Sequence, residues 1–325
     1  MRIAVIGLGF MGSMHIQALQ KLAGVELIAV YSSDSRKRSG DLTGIQGNLG
    51  GPGQSFDFAR VKQYSDITAL LADPAIDAVD LCLPTHLHEG VTLDALHAGK
   101  HVLVEKPIAL DGDSARRMIA AAQKAGRVLM AAQVLRFFPE YVALRDAIDR
   151  YGPVRAASFS RRCAEPGWGG WLKDKARSGG GAFDLLIHDV DMCLSLFGRP
   201  RAVAANGFGD WVVGQFFYDE FVTGIEGGWQ SSPAYPFGME YRVTMEQGTV
   251  EYSSAGKPPV LYGEAEQALP LAYCDGYAAE IAYFVECCRT GAAPERCPPQ
   301  ESALAVDLMH ALLAARERNG EKVAF

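Results

Sequence analysis

The sequence predicts an α/β protein of two domains: an N-terminal doubly wound parallel sheet, then an α+β domain with a large, mostly antiparallel open sheet. Three observations predict it. At 325 residues the chain exceeds what one small core holds. Its first part alternates short apolar, β-branched runs with amphipathic stretches. Its later part strings strand-like runs one after another through short turns.

The parallel strands are read at Arg2–Ile6, Val25–Tyr31, Ala78–Leu83, His101–Val104 and Val128–Ala132, each apolar enough to be buried on both faces. Amphipathic segments Met11–Leu22, Leu87–Ala98 and Ser114–Lys124 supply helices between them. The exception is Ser39–Arg60, where glycines 40, 44, 47, 50, 51 and 53 crowd a stretch expected to hold a crossover helix. The texture changes after residue 132, which divides the chain into domains 1–132 and 133–325. The second domain is read as a helix at Pro139–Arg150, a strand at Val154–Arg161 and a helix at Ala182–Phe197. Strands near 201–207, 211–218, 221–230, 239–246 and 248–252 follow, then helices at Gly276–Arg289 and Ser302–Arg318. Such a sheet is expected to leave one apolar face uncovered, the mark of a homo-oligomer interface.

Composition excludes several function classes. Hydrophobic residues make up 49% and charged residues 21%, which is globular rather than disordered. The net charge is -7 and the longest basic run is Arg36-Lys37-Arg38, so neither nucleic acid nor an anionic membrane is an expected partner. No apolar run approaches the ~20 residues that span a bilayer, and a strand pattern at the start argues against a secretory leader. Seven scattered cysteines fit a reducing cytoplasm.

Gly7-Leu8-Gly9-Phe10-Met11-Gly12 matches G-x-G-x-x-G between a buried strand and a helix, the context the dinucleotide fingerprint of a Rossmann domain requires. Gly7 allows the tight turn, Gly9 the approach of a pyrophosphate, and Gly12 close helix–strand packing. The second strand ends at Tyr31-Ser32-Ser33-Asp34, with Ser32 where an Asp or Glu would bind the ribose 2′-hydroxyl of NAD. Without that carboxylate, and with Ser33, Arg36 and Lys37 near, NADP is favoured over NAD. The alternative is a solvated basic loop with Asp34 reaching the ribose.

Two other segments bear chemistry. Val104-Glu105-Lys106-Pro107 closes a strand at its carboxyl end, where open α/β sheets bind ligands. Pro107 biases Lys106 toward extended backbone, and its own peptide bond is one that can be cis. Further on, Ser178-Gly179-Gly180-Gly181 leads into a helix with Asp184, His188 and Asp191 at i, i+4 and i+7, a polar stripe on an apolar helix. The stripe admits helix-dipole and core roles, a metal site lacking a second ligand cluster, or acid–base chemistry at His188. No metal is expected.

Together with Leu83-Pro84-Thr85-His86-Leu87-His88, these motifs make the chain resemble the glucose–fructose oxidoreductase / inositol dehydrogenase / rhizopine-catabolism family over essentially its whole length. The resemblance implies a Rossmann domain, and a second domain whose open sheet mediates homodimers or homotetramers. It implies sugar or polyol dehydrogenation, with Lys106 polarising the substrate oxygen, Asp184 fixing a hydroxyl and His188 moving the proton. It also implies that Leu83, Pro84, Thr85 and His88, with Glu105 and Lys106, line the nicotinamide end. Arg161, Arg162, Trp168, Trp171, Lys173 and Tyr277 are candidates for the substrate side, Arg162, Trp171 and Tyr277 foremost. The serine at position 32 and the glycine-rich insertion depart from the family pattern. Two rival functions use the same fold: a catalytically silent sugar or cofactor sensor, and a glycosidase with an NAD redox relay.

Overall fold

The structure is a computed structural model that describes residues 1–47 and 53–325. Two compact units make it up, 1–134 with 275–303 and 135–274 with 304–325. Among the described residues no helix is long and apolar enough to cross a membrane.

The first unit is built in the order β1 (Arg2–Ile6), α1 (Phe10–Leu19), β2 (Glu26–Tyr31), α2 (Ser35–Arg38), β3 (Lys62–Tyr64), α3 (Ile67–Leu71), β4 (Ala78–Leu81), α4 (His88–His97), β5 (His101–Glu105), α5 (Gly112–Ala125) and β6 (Leu129–Ala132). Its six strands are all parallel and lie in the order β3-β2-β1-β4-β5-β6. The order reverses between β1 and β4, so the turns after these two strands flank the position where such sheets take ligands. The strand read to Leu83 ends at Leu81, which frees Cys82 and Leu83 for that turn. The short β3 was not legible, because two of its three side chains are exposed and no apolar alternation marks it.

The described residues of the insertion after α2 form no long crossover helix. Asp41 bridges to Ser55, and Leu42, Phe56 and Phe58 are buried, with the two rings stacked. A Cβ on Gly47 would stand 2.2 Å from the ring of Phe10, so Gly47 packs against the fingerprint. Glycines 50 and 51 lie outside the described residues.

In the second unit α6 (Pro139–Tyr151) leads to β7 (Val154–Ala164), α7 (Lys175–Ser178) and α8 (Gly181–Phe197). Strands β8 (Ala202–Phe208), β9 (Trp211–Phe217), β10 (Val222–Gln230), β11 (Gly238–Met245), β12 (Gly248–Ser253), β13 (Lys257–Tyr262) and β14 (Glu266–Ala268) follow. After α9 (Gly276–Thr290) and α10 (Pro299–Glu317), β15 (Val323–Ala324) completes a nine-stranded sheet, β14-β13-β12-β11-β7-β10-β9-β8-β15. Every pairing in it is antiparallel except β7 with β10. Alternation along β7 turns Phe159, Arg161 and Cys163 toward α8, and Ser158, Ser160 and Arg162 to the other face. That other face is uncovered as expected, and it mixes polar and apolar side chains. Ser158, Ser160, Gln215, Glu226, Arg242 and Glu251 line it, and by register the exposed Val213, Val222, Phe208 and Tyr262 stand on it too.

The segment 275–303 belongs to the first unit and not, as expected, to the second. Helix α9 lies along α1: Lys21 binds Asp275 at 2.6 Å, Arg289 donates to Gly24 O at 2.6 Å, and Cys297 donates to Ala131 O at 3.2 Å. These contacts link residues more than 160 positions apart, beyond any local pattern.

Two buried ion pairs hold α8. Arg161 Nε and Nη2 donate to the Asp189 carboxylate at 2.6 and 3.1 Å, and Arg136 donates to Asp191 at 2.8 and 2.7 Å. Asp191 therefore leaves the polar stripe expected with Asp184 and His188; paired with Arg136, it is buried. Breaking such a pair strands a charge in the core, at a cost of about 3–5 kcal/mol. Asp189→Ala should lower the unfolding free energy by that order in urea titration, whereas Asp77→Ala, in the exposed pair with Arg2, should change it little. Equal effects would contradict the assignment.

Candidate active site

In the first unit the fingerprint glycines divide by what they meet. Gly7 has φ +107° and its N–H donates to Tyr31 O; a Cβ there would lie 2.4 Å from Cys82 O. A Cβ on Gly12 would lie 2.0 Å from Gly7 O. The protein's own backbone thus requires both. A Cβ on Gly9 would meet nothing within 4 Å, so its missing side chain leaves space for a group from outside. Gly9 is also the N-cap of α1 and offers no side chain to the first-turn N–H groups, which suits an approaching anion. Leu8 is buried, while Phe10 and Met11 are half-buried on either side. These residues fit a dinucleotide pyrophosphate.

At the end of β2, Ser32 is buried and its Oγ accepts the Asp34 N–H at 3.2 Å, while Ser33 is exposed. The Asp34 carboxylate accepts N–H groups of Arg36 and Lys37 at 2.9 and 3.4 Å, capping α2 instead of turning to a ribose. The Arg36 guanidinium binds Asp41 at 2.6 Å and Thr43 at 3.3 Å, and this holds the Asp41 carboxyl well below the usual range. Lys37 is half-buried. The basic group drawn to position 32 is Arg38, whose Nη1 donates to Ser32 O at 2.6 Å. Only the helical turn α2 brings the third member of the triplet back to the strand end, a placement that sequence order does not mark.

The turn after β4 is held by His88, which is buried. Its Nδ1 lies 2.8 Å from Pro107 O and its Nε2 2.8 Å from Leu83 O. Burial lowers its pKa, so the neutral ring has one N–H to donate between the two carbonyls. His88 thus ties the Leu83-Pro84-Thr85 turn to Pro107. Thr85 is buried too. Glu105 ends β5 with its carboxylate buried, Oε2 accepting the Lys106 N–H at 2.9 Å. Lys106 is half-buried, and the Lys106–Pro107 peptide bond is cis.

In the second unit the glycine run sets the start of α8. A Cβ on Gly181 would fall 2.4 Å from the Trp229 indole, and the Gly181 N–H donates to Asp210 at 2.9 Å. Trp229, missed in the sequence analysis, packs with Cys163 and Leu185 in a small core that Leu172 and Phe237 extend. Among the residues facing outward from α8, Asp184 and His188 stand one turn apart and half-buried, with buried neighbours between them.

The other substrate candidates separate. Arg161 is buried against Asp189 and Tyr141. Arg162 lies on the open face of the sheet, opposite α8, bound to Glu240 at 2.7 Å and Ser160 at 3.0 Å, because adjacent strand residues point oppositely. Lys173 is exposed and paired with Glu165. Trp168 and Trp171 are half-buried beside Leu172, which makes the loop's core contact. Tyr277 sits in the first unit, its ring 6.1 Å from that of His15. A set of potential metal ligands that spacing did not reveal also lies there, His15, Asp80 and Cys82, with ligand atoms within 4.8 Å of one another. Their protons occupy those contacts: Nδ1 faces both Asp80 oxygens at 2.9 and 3.0 Å, and burial pushes the Cys82 thiol pKa up.

Comparison with known proteins agrees with this geometry. Residues 1–133 match the family model described as an oxidoreductase family with an NAD-binding Rossmann fold, and residues 141–251 match the GFO/IDH/MocA C-terminal domain. The chain is similar to 1,5-anhydro-D-fructose reductase of Ensifer adhaerens, 40% identical over 40% of either chain. It is also similar to D-glucoside 3-dehydrogenase of Escherichia coli, 30% identical over 63% of this chain and 56% of that one. The match thus spans about half the length of these relatives or less. The crystal structure of an NAD binding oxidoreductase from Klebsiella pneumoniae shares the fold, with a TM-score of 0.82 and 21% identity over 100% of this chain and 98% of that one. The chain belongs to the Gfo/Idh/MocA family of oxidoreductases.

Proposed function

We propose that the protein is an NADP(H)-preferring oxidoreductase that interconverts a secondary alcohol and a ketone on a sugar, inositol or related polyol. The observation that carries the reading is the half-buried Lys106 at the carboxyl edge of the same parallel sheet that bears the open Gly9 turn. The names of the relatives, a sugar reductase and a glucoside dehydrogenase, support the substrate class.

The dinucleotide, when bound, supplies the redox chemistry at the nicotinamide. Gly7–Gly12 and the N-terminus of α1 hold its pyrophosphate, and Leu83, Pro84 and Thr85 shape the wall beyond Gly7. Lys106 opposes the charge that develops on the substrate oxygen. His188 takes the hydroxyl proton in oxidation and returns it in reduction. Asp184, one turn earlier, fixes a neighbouring hydroxyl, and Trp171 and Tyr277 offer aromatic faces to the carbon skeleton. Lys106→Ala and His188→Ala should each lower kcat by about 10²–10⁴ while dinucleotide affinity, read by nicotinamide fluorescence, stays within about threefold. Retention of more than about a tenth of wild-type kcat by either variant would remove that residue from the mechanism.

The NADP preference rests on Ser32 in place of a carboxylate and on Arg38 beside it. Arg38→Ala should reduce the NADP-to-NAD ratio of kcat/KM by at least about tenfold, or 1.4 kcal/mol, and Ser32→Asp should reverse it. Arg36→Ala should alter it less, since Arg36 is paired with Asp41. A wild-type enzyme preferring NAD tenfold would overturn this reading.

Gly9→Ala gives a third test. The variant should keep the thermal midpoint within about 2 °C and lose at least about tenfold in dinucleotide affinity. Unchanged affinity would contradict the placement of the pyrophosphate. We also propose that the protein is cytoplasmic and assembles as a homodimer or homotetramer through the open face of the nine-stranded sheet.

A further inference from the structure

We infer that His15 is a positioning residue for the candidate site: its ring bridges two buried carboxylates and so fixes the strand end that carries Lys106. The inference rests on the reading of Lys106 as a group at the reacting carbon.

The register of the parallel sheet sets up the arrangement. Asp80 on β4 pairs with Leu103 on β5, so the two side chains share a face, and Glu105, two residues on, shares it as well. Both carboxylates are almost completely buried, at 1% and 5% exposure. Helix α1 lays His15, itself without exposed surface, over that face. Nδ1 lies 2.9 and 3.0 Å from the two Asp80 oxygens, and Nε2 lies 3.2 Å from Glu105 Oε1. The Nε2 contact is close enough for an ion pair but off the line of a good hydrogen bond, so charge holds it more than direction does. The other Glu105 oxygen accepts the Lys106 N–H.

Two buried carboxyl groups on adjacent strands need polar partners, since an unpaired polar group in the interior is strongly unfavourable. The His15 ring, with one nitrogen facing each of them, is placed to be that partner. The surrounding titratable groups are Asp80 from β4, Cys82 from the turn after it, Glu105 from β5 and, on α9, Tyr277 with buried Glu280 one turn further. The Asp80 charge raises the His15 pKa well above its ordinary value despite complete burial. The folded ring therefore keeps its proton as pH rises past about 6.5, where an exposed histidine loses it.

The first test uses the wild-type protein. In 15N-labelled protein at pH 7, both His15 ring nitrogens should carry protons, one toward each carboxylate, the resonances being assigned by their loss in His15→Asn. A ring with either nitrogen bare at that pH overturns the inference. The second compares His15→Gln, whose amide reaches toward Glu105, with His15→Asn, whose amide reaches only toward Asp80. In protein dimethylated with 13C on its lysines, the Lys106 resonance should be retained in His15→Gln and displaced in His15→Asn. On a substrate the wild type turns over, kcat should be at least about fivefold higher in Gln than in Asn at similar dinucleotide affinity. An Asn variant that matches or exceeds the Gln variant overturns the inference. If neither variant folds, the wild-type ring protonation decides. A wild type that turns over no sugar or polyol counts against the function, while the ring protonation and the Lys106 resonance still decide this proposal.

Discussion

Between Gly12 and the carbonyl of Gly7 there is no room for a Cβ, and the same is true between Gly7 and the carbonyl of Cys82. This three-way approach of backbone pins the start of α1 against the ends of β1 and β4. Once it is fixed, the unpaired N–H groups of α1 point to the position where the strand order reverses, and the turn after β4 forms the adjoining wall. His88 carries the constraint onward by tying that turn to Pro107, beside Lys106. A backbone requirement in one turn is thereby converted into the placement of a side chain two strands away.

Buried charge does comparable positional work within each unit. In the second, two arginine–aspartate pairs set the rotation of α8, which leaves Asp184 and His188 as the half-buried pair on its surface. In the first, a histidine lies between two carboxylates beneath the strand that ends in Glu105. Buried ion pairs are weak contributors to net stability but strongly resist being separated, which suits groups that must not rotate.

The fold was legible where burial leaves periodic traces. The parallel strands, the amphipathic helices and the consecutive strands from 202 to 253 follow from alternation and apolar runs. The fingerprint was legible because its glycines answer a local backbone demand. Long-range pairing left no such trace. The return of 275–303 to the first unit depends on single contacts such as Lys21 with Asp275. The roles of Asp191, Arg162 and Arg36 depend on partners at Arg136, Glu240 and Asp41, and a polar residue looks the same in sequence whether it faces ligand or another protein group. Arg38 and Trp229 were missed for the converse reason: each is brought to its position by a turn or strand end whose geometry no single residue type announces.

The central claim, that this chain oxidises a carbinol carbon of a polyhydroxylated substrate, is open to one direct measurement. Purified protein is incubated with NADP+ and a panel of sugars and inositols deuterated at their secondary carbinol positions, and the recovered nicotinamide is analysed for deuterium. The account predicts deuterium at nicotinamide C4 with at least one member of the panel. Tight dinucleotide binding with no deuterium transfer from any member, with NADP+ or with NAD+, would contradict it.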